Sequence, residues 1–237
     1  NGKHVDTLYM EIAPRTSMIY DVQVESVLEQ ELASPFTNHL YYKGDISLLN
    51  TPSIGIIGSR DVEKISLINA EKAGYFFSIN GISVVSGLAL GIDVNSHIGV
   101  LNAKGKAIAV LPSDLLNIVP NSNRGVADSI LENGGLLISE YPIGYKMDRY
   151  CYANRDRIQS ALSEVILVIA ANEASGTMIA VKKSISEGKI VCQLKNNNNT
   201  IIKDKVDLDE DGQSLIDKVI KEYKKWSENK NEQISLF

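Results

Sequence analysis

The sequence predicts an α/β protein built on an open, doubly wound, mostly parallel sheet with right-handed crossovers. Two observations carry that reading. Short runs of nearly continuous apolar, β-branched residues recur along the chain, as expected of strands covered on both faces. Longer helical stretches alternate with them, and several end at a glycine. The strand candidates are Ser53–Gly58, Ile82–Ser86, Lys106–Leu111, Leu136–Ser139, Val165–Ala170 and Ile190–Leu194. The helical candidates fall at about 62–80, 92–104, 123–134, 154–163 and 176–188, with Gly81, Gly105, Gly134 and Gly188 placed as C-terminal caps. Residues 1–50 are expected to form a short N-terminal helical extension, with one helix near Ser17–Glu31 and a polar aromatic stretch, Tyr41 to Asp45, leading into the first strand. The sheet domain spans 51–195. Asn196–Asn199 favours turns and offers no core surface, so 196–212 reads as a linker. Residues 213–228 carry Leu215, Ile216, Val219, Ile220, Tyr223 and Trp226 on one side, the pattern of a C-terminal amphipathic helix, and 229–237 reads as a flexible tail.

Composition sets the class. The chain has 237 residues, 44% hydrophobic and 22% charged, which suits one large domain with appendages and excludes disorder throughout or a collagen-like fibre. No apolar run approaches the length of a membrane span, and the N-terminus lacks a basic-then-apolar leader, so no membrane association is expected. Two cysteines, Cys151 and Cys192, make a disulfide framework unexpected and the cytoplasm the expected location. The net charge of −5 argues against a nucleic-acid binder taken as a whole. The acidity lies in the flanks, however. Residues 1–53 carry 3 basic and 7 acidic side chains and 196–237 carry 7 and 9, whereas 54–195 carry 14 and 13. The central segment is free to present a local basic face.

In such a sheet, ligands bind beyond the carboxyl ends of the strands. Gly58-Ser59-Arg60 follows the first of these strands: the glycine lets backbone N–H groups approach an anion, the next helix aims its positive end there, and Arg60 is a bidentate donor suited to phosphate. Ser86-Gly87-Leu88-Ala89-Leu90-Gly91-Ile92-Asp93 follows the second, with Asp93 positioned to cap the next helix. Ser175, Gly176 and Thr177 open the helix after the fifth. Any one of these turns could serve geometry alone; three together with Arg60 favour an anion-binding rim. Neither G-x-G-x-x-G nor a P-loop is present. A second constellation, Tyr150-Cys151-Tyr152-Ala153-Asn154-Arg155-Asp156-Arg157, interleaves guanidinium groups with aromatic rings, which suits single-stranded nucleic acid; a solvated helix start would give the same pattern.

At these residues the sequence resembles the DNA-processing protein A (DprA/Smf) family, Rossmann-like single-stranded DNA binders that help load the RecA recombinase. The resemblance runs from about Tyr42 to Leu194. Its ordered matches are Gly44-Asp45, Ile57 to Arg60, Val84 to Asp93 with His97, Ile108 to Leu111, Ser139 to Gly144, Arg155 to Ile158 with Leu162-Ser163, and Ser175 to Thr177. The chain departs from the family in places, Asp156 standing where the family has an amide, and reads as a divergent, minimal member. The resemblance implies that Arg60 binds a DNA phosphate on the Gly58-Ser59 turn. Ser86, Gly87 and Gly91 would form the adjacent wall, Arg155 and Arg157 would lie beside the same pocket with Tyr152 as a stacking group, and Ser175, Gly176 and Thr177 would complete the rim. It also implies a homodimer, a function in DNA uptake and recombination by protecting single strands, a RecA recombinase as partner, and no enzymatic activity or cofactor.

The main rival is a nucleotide-sensing or nucleotide-hydrolysing module of the lysine-decarboxylase-like (LOG) group, whose G-G-x-G-T-x-x-E motif supplies a carboxylate. The comparable turn here, Ser175 to Val181, has none. Glu140 and His97 read as structural, and no metal-ligand spacing occurs. At the end of the chain, Gln233-Ile234-Ser235-Leu236-Phe237 resembles the sliding-clamp-binding pentapeptide, with Gln233, Leu236 and Phe237 as anchors; an apolar end folded back on the domain would look the same.

Overall fold

The computed structural model describes residues 6–9, 24–26, 39–172, 175–195, 197 and 200–234. Three N-terminal strands, β1 (Asp6–Tyr9), β2 (Val24–Ser26) and β3 (His39–Gly44), precede the alternating segment. That segment runs β4 (Ser53–Ile57), α1 (Lys64–Ile79), β5 (Ser83–Ser86), α2 (Ile92–Asn102), β6 (Ala107–Val110), α3 (Arg124–Glu132) and β7 (Leu136–Ser139). It continues through α4 (Cys151–Ala161), β8 (Val165–Val168), α5 (Gly176–Ser186), β9 (Ile190–Leu194), β10 (Asp204–Val206) and α6 (Leu208–Ile234). All strands share one sheet in the order β10-β9-β8-β4-β5-β6-β7-β3-β1-β2, parallel from β10 to β7 and antiparallel beyond.

The apolar runs are continuous because each strand feeds two cores. On β6, Ala107 and Ala109 join the cluster that includes Phe77, Ile92, Val100 and Leu215, while Ile108 and Val110 join the opposite one with Leu136, Ile158 and Leu162. β5 divides in the same way between Val84 and Val85. A third cluster packs Ile166 and Val168 of β8 against Met178 and Val181 of α5. Successive side chains of a strand point to opposite faces, so a strand with helices on both sides is apolar at most of its positions.

Four expectations change. The range read as a helix over Ser17–Glu31 contains strand β2, Val24–Ser26; the rest of it lies outside the described residues. The aromatic stretch at Tyr41 is itself strand β3. Tyr41 and Tyr42 are buried on opposite faces, and the strand pairs antiparallel with β7. The region read as a linker holds β10, which pairs in parallel with β9 and buries Ile202 and Val206, so the asparagine run precedes another strand instead of closing the domain. The helix read as 213–228 spans Leu208–Ile234 and takes in most of the range read as a flexible tail, because 229–234 holds no glycine or proline and includes the helix formers Lys230, Glu232 and Gln233. At the helix ends, Gly81, Gly134 and Gly188 have positive φ, whereas at the end of α2 Lys104 takes that conformation in place of Gly105. Among the described residues, no helix is long and apolar enough to cross a membrane.

Candidate functional site

The sheet reverses its winding at β4: the chain steps from β4 to β5, β6 and β7 on one side, while β8, β9 and β10 lie on the other. Loops leaving β4 and β8 therefore part in opposite directions and leave a crevice beyond the strands' carboxyl ends. That crevice is a pocket of about 440 Å³. Gly58, Ser59 and Arg60 line it from the turn after β4, Tyr152, Arg155 and Asp156 from α4, and Ser175, Gly176 and Thr177 from the start of α5. The turns are tied together: the Ser59 N–H donates to the Ala170 carbonyl at 2.8 Å, and the Thr177 hydroxyl to the Gly58 carbonyl at 3.1 Å. Ser175 N-caps α5 without a side-chain cap hydrogen bond, so the positive end of that helix faces the pocket with its own side chain uncommitted.

Arg60 is exposed at the mouth. Its guanidinium lies 4.5 Å from the centroid of the Tyr152 ring, a cation–π contact, and makes no ion pair among the described residues. Arg155 is committed elsewhere. It is buried, its Nη1 lies 3.3 Å from Asp93 and its Nε 3.0 Å from Asp156, so it braces α4 against α2 and holds two carboxylates of the pocket. Asp93 does not cap α2 as expected. Gly91 is the N-cap, and the Asp93 carboxyl turns to Arg155; burial raises its pKa to about 6 although Arg155 pulls the other way. Asp156 is likewise raised by burial against the pull of Arg155 and Arg60.

The other predicted residues lie behind or beside the pocket. The Ser86 hydroxyl is buried and donates to the Ile56 carbonyl at 2.7 Å, joining β5 to β4. Gly87 leaves room for Arg155: a Cβ there would sit 1.0 Å from its Nη1. Gly91 has φ +77°, and a Cβ would lie 2.5 Å from the Arg60 carbonyl and 2.6 Å from that of Ser59, so this glycine sets the close approach of α2 to the Arg60 turn. Arg157 departs from expectation. Residues two apart on a helix do not share a face, so Arg157 points away from Arg155 and pairs with Glu140 at the end of β7, outside the pocket lining. Burial raises the Glu140 carboxyl and Arg157 offsets part of that rise, which fits the structural role read for Glu140. His97 is buried on α2, and burial lowers its pKa to about 4, so it is neutral and packed. Among the described residues no group of three His, Cys, Asp or Glu is placed to hold a metal ion.

Sequence reasoning missed the inner half of the pocket, which runs between α4 and α5 past Gln159, Ser160, Ala180 and Ser184 to Gly55 and Ile166. A signal existed: Gly176, Ala180 and Ser184 recur every fourth residue, a line of small side chains down one face of α5.

The profile of the family described as DNA recombination-mediator protein A matches residues 17–224. The chain belongs to that family. It is 32% identical over 149 residues to Protein Smf of Borreliella burgdorferi, covering 63% of this chain and 48% of the relative. It is 34% identical over 152 residues to DNA processing protein DprA of Streptococcus pneumoniae, covering 64% and 53%. The chain thus spans about half the length of these curated relatives. A solved structure of DNA processing protein A from Helicobacter pylori, described for its single-stranded DNA binding mode, superposes with a TM-score of 0.66 at 29% identity, covering 81% of this chain and 91% of that one. The Rossmann-like α/β fold expected from the sequence is the fold of this DprA/Smf family member.

Proposed function

We propose that this chain is a single-stranded DNA-binding protein of the DprA/Smf type that uses the switch-point pocket as its strand site. The observation that carries the reading is Arg60: the pocket's one guanidinium, among the described residues, without a carboxylate partner, set at the mouth beside an open helix N-terminus. That is the arrangement a backbone phosphate requires. Tyr152, already stacked under Arg60, extends the platform toward a base. Arg155 supports the site from beneath, and Arg157 belongs to a separate contact with Glu140. The protein acts as a binder and not an enzyme. On this reading it protects single strands during DNA uptake or recombination, assists a RecA recombinase, and works as a homodimer. The motif Gln233, Leu236, Phe237 would engage a sliding clamp; Gln233 lies in α6, and Leu236 and Phe237 lie outside the described residues. The nucleotide-hydrolysing alternative is less favoured, because the turn at Ser175–Ala180 has no carboxylate and Glu140 does not line the pocket.

The test is a titration of labelled oligo-dT against salt. The slope of log affinity on log salt is about −0.7 for each phosphate neutralised on a single strand. Arg60→Ala should flatten it by about 0.7 and weaken binding across sequences while the melting temperature holds. An unchanged slope and affinity in a folded variant would remove Arg60 from the site.

A further inference from the structure

The outer face of α1 is apolar where a surface helix is expected to be polar. A helix packed on a sheet turns one stripe inward and leaves polar residues outside. α1 turns Ala70, Ala73, Gly74 and Phe77 inward. Its outward positions are Ile65, Ile68, Lys72, Tyr75 and Ile79, and the four apolar ones are 39% to 58% exposed. They recur at three- and four-residue steps, so they form a single stripe along a helix of 16 residues, about 24 Å long. α2 approaches one side of α1 at Gly74 and α6 the other side at Phe76, leaving the stripe open between them. Half of the large apolar side chains left exposed among the described residues lie on this one face. Scattered singly they would need no explanation; in a row they mark an interaction surface. None of the five lines the switch-point pocket, so this surface is separate from the strand site.

The stripe names its own partner, because it is nearly self-complementary. Ile68 and Tyr75 flank Lys72 closely, and Ile65 and Ile79 flank it one turn further out. Two copies of α1 laid antiparallel, about an axis between Glu71 and Lys72, set Ile68 opposite the partner's Tyr75 and Lys72 opposite the partner's Glu71. The two-fold axis repeats each contact. Both charges are available. Lys72 makes no ion pair among the described residues. Glu71 accepts from the Asn102 amide at 2.8 Å through Oε1, and a carboxylate has further lone pairs for an ammonium. Beside the stripe lies a groove of about 580 Å³ with Phe76, Leu194, Val206 and Leu208 among its walls. Ile68 stands at its edge, so the groove gives the partner's Tyr75 ring an apolar place to lie. A patch that matches itself in both shape and charge is what a two-fold contact demands.

We propose that the outer face of α1 is the interface between two copies of this chain: the helices pair antiparallel through Ile65, Ile68, Tyr75 and Ile79, with two reciprocal Lys72–Glu71 ion pairs at the centre. This rests on the homodimer stated above and gives it a location. A contact one helix long is at the small end of protein interfaces, so the dimer dissociates on dilution. The pairing leaves both strand pockets open. It sets the two Arg60 turns, each just ahead of an α1 N-terminus, at opposite ends of the paired helices.

Sedimentation equilibrium over about 5–500 μM protein, the range suited to a small interface, tests the assignment. Wild type should show a monomer–dimer equilibrium. Ile68→Asp, a change at an exposed position, should raise the dissociation constant on the order of a hundredfold with the melting temperature of the monomer unchanged. A second pair of variants tests the reciprocity. Lys72→Glu sets carboxylate against carboxylate across the axis, and Glu71→Lys sets ammonium against ammonium. Each should be monomeric alone. An equimolar mixture should dimerise near the wild-type constant, because each variant supplies the charge that the other lacks. A folded Ile68→Asp protein that dimerises like wild type overturns the α1 face and leaves the homodimer standing elsewhere. A mixture that associates no better than its separate components overturns the antiparallel pairing. Wild type that stays monomeric throughout the range overturns both the face and the homodimer.

Discussion

Replacing Arg155 with methionine keeps most of the side chain's length and removes its charge, which separates bracing from phosphate contact. The buried Asp93 carboxyl would then lose the group 3.3 Å away that holds it down, and its pKa, already about 6, would rise further. Removing one partner of a buried ion pair costs about 3–5 kcal/mol. In a domain of this size that is a fall of roughly 6–20 °C in melting temperature. The sign with pH follows from the proton count. A raised carboxylate pKa contributes stability below its unfolded value that is lost as pH rises through the folded value. Below about 6 Asp93 is protonated in both folded proteins, and the difference between them is flat with pH. Above 6 it is ionised in wild type and protonated in the variant. The variant therefore loses about 1.4 kcal/mol relative to wild type per pH unit, until its own carboxyl ionises. Urea titrations at pH 5.5 and 8 measure both terms. Equal stability at pH 8, combined with a binding loss as large as that of Arg60→Ala, would show that Arg155 contacts the strand and braces nothing.

Gly91→Ala places a side chain at φ +77° against two carbonyl oxygens, so it should cost about 1–3 kcal/mol and weaken strand binding by displacing the Arg60 turn; wild-type binding would mean that turn is not set by α2. His97→Gln tests the buried neutral imidazole. With a folded pKa near 4 against 6.5, wild type should lose stability relative to the variant as pH falls from 6.5 to 4, and a difference that stays constant would mean His97 ionises freely in the fold. Ile202→Ala should cost about 2–4 kcal/mol in chemical denaturation, as a core residue does, and a cost near zero would return 196–212 to the status of a linker.

The parallel strands were legible because a strand buried on both faces is mostly apolar, and that composition is visible without knowing its neighbours. β10 was not: it is three residues long and follows an asparagine run, and Val206 is buried only because β9 offers an edge to pair with. The same holds for β3, whose aromatic side chains look like a loop until β7 supplies a partner. In the site, the turn residues were legible and the division of labour among the arginines was not. Arg60, Arg155 and Arg157 are alike as letters. Helical phase turns Arg155 inward onto Asp93 and Arg157 outward onto Glu140, and only Arg60, on a turn, is left free.

On the proposed strand-binding reading, that division also accounts for how an acidic chain would hold a strand of phosphates. The pocket lining contains Arg60 and Arg155 against Asp61, Asp93 and Asp156, so its formal charge is negative, like that of the whole protein. What matters is which charges are spent. Asp93 and Asp156 share the single positive charge of Arg155, and burial biases both toward the protonated form. Arg60 and the start of α5 then face the mouth with Asp61 as the one lining carboxylate outside the Arg155 cluster, among the described residues. A site built this way neutralises one or two phosphates at most, so counterion release supplies little of its affinity. On that reading the remainder comes from contacts that ignore charge, such as stacking on Tyr152. A shallow salt dependence combined with a strong dependence on the bases is the behaviour this geometry requires.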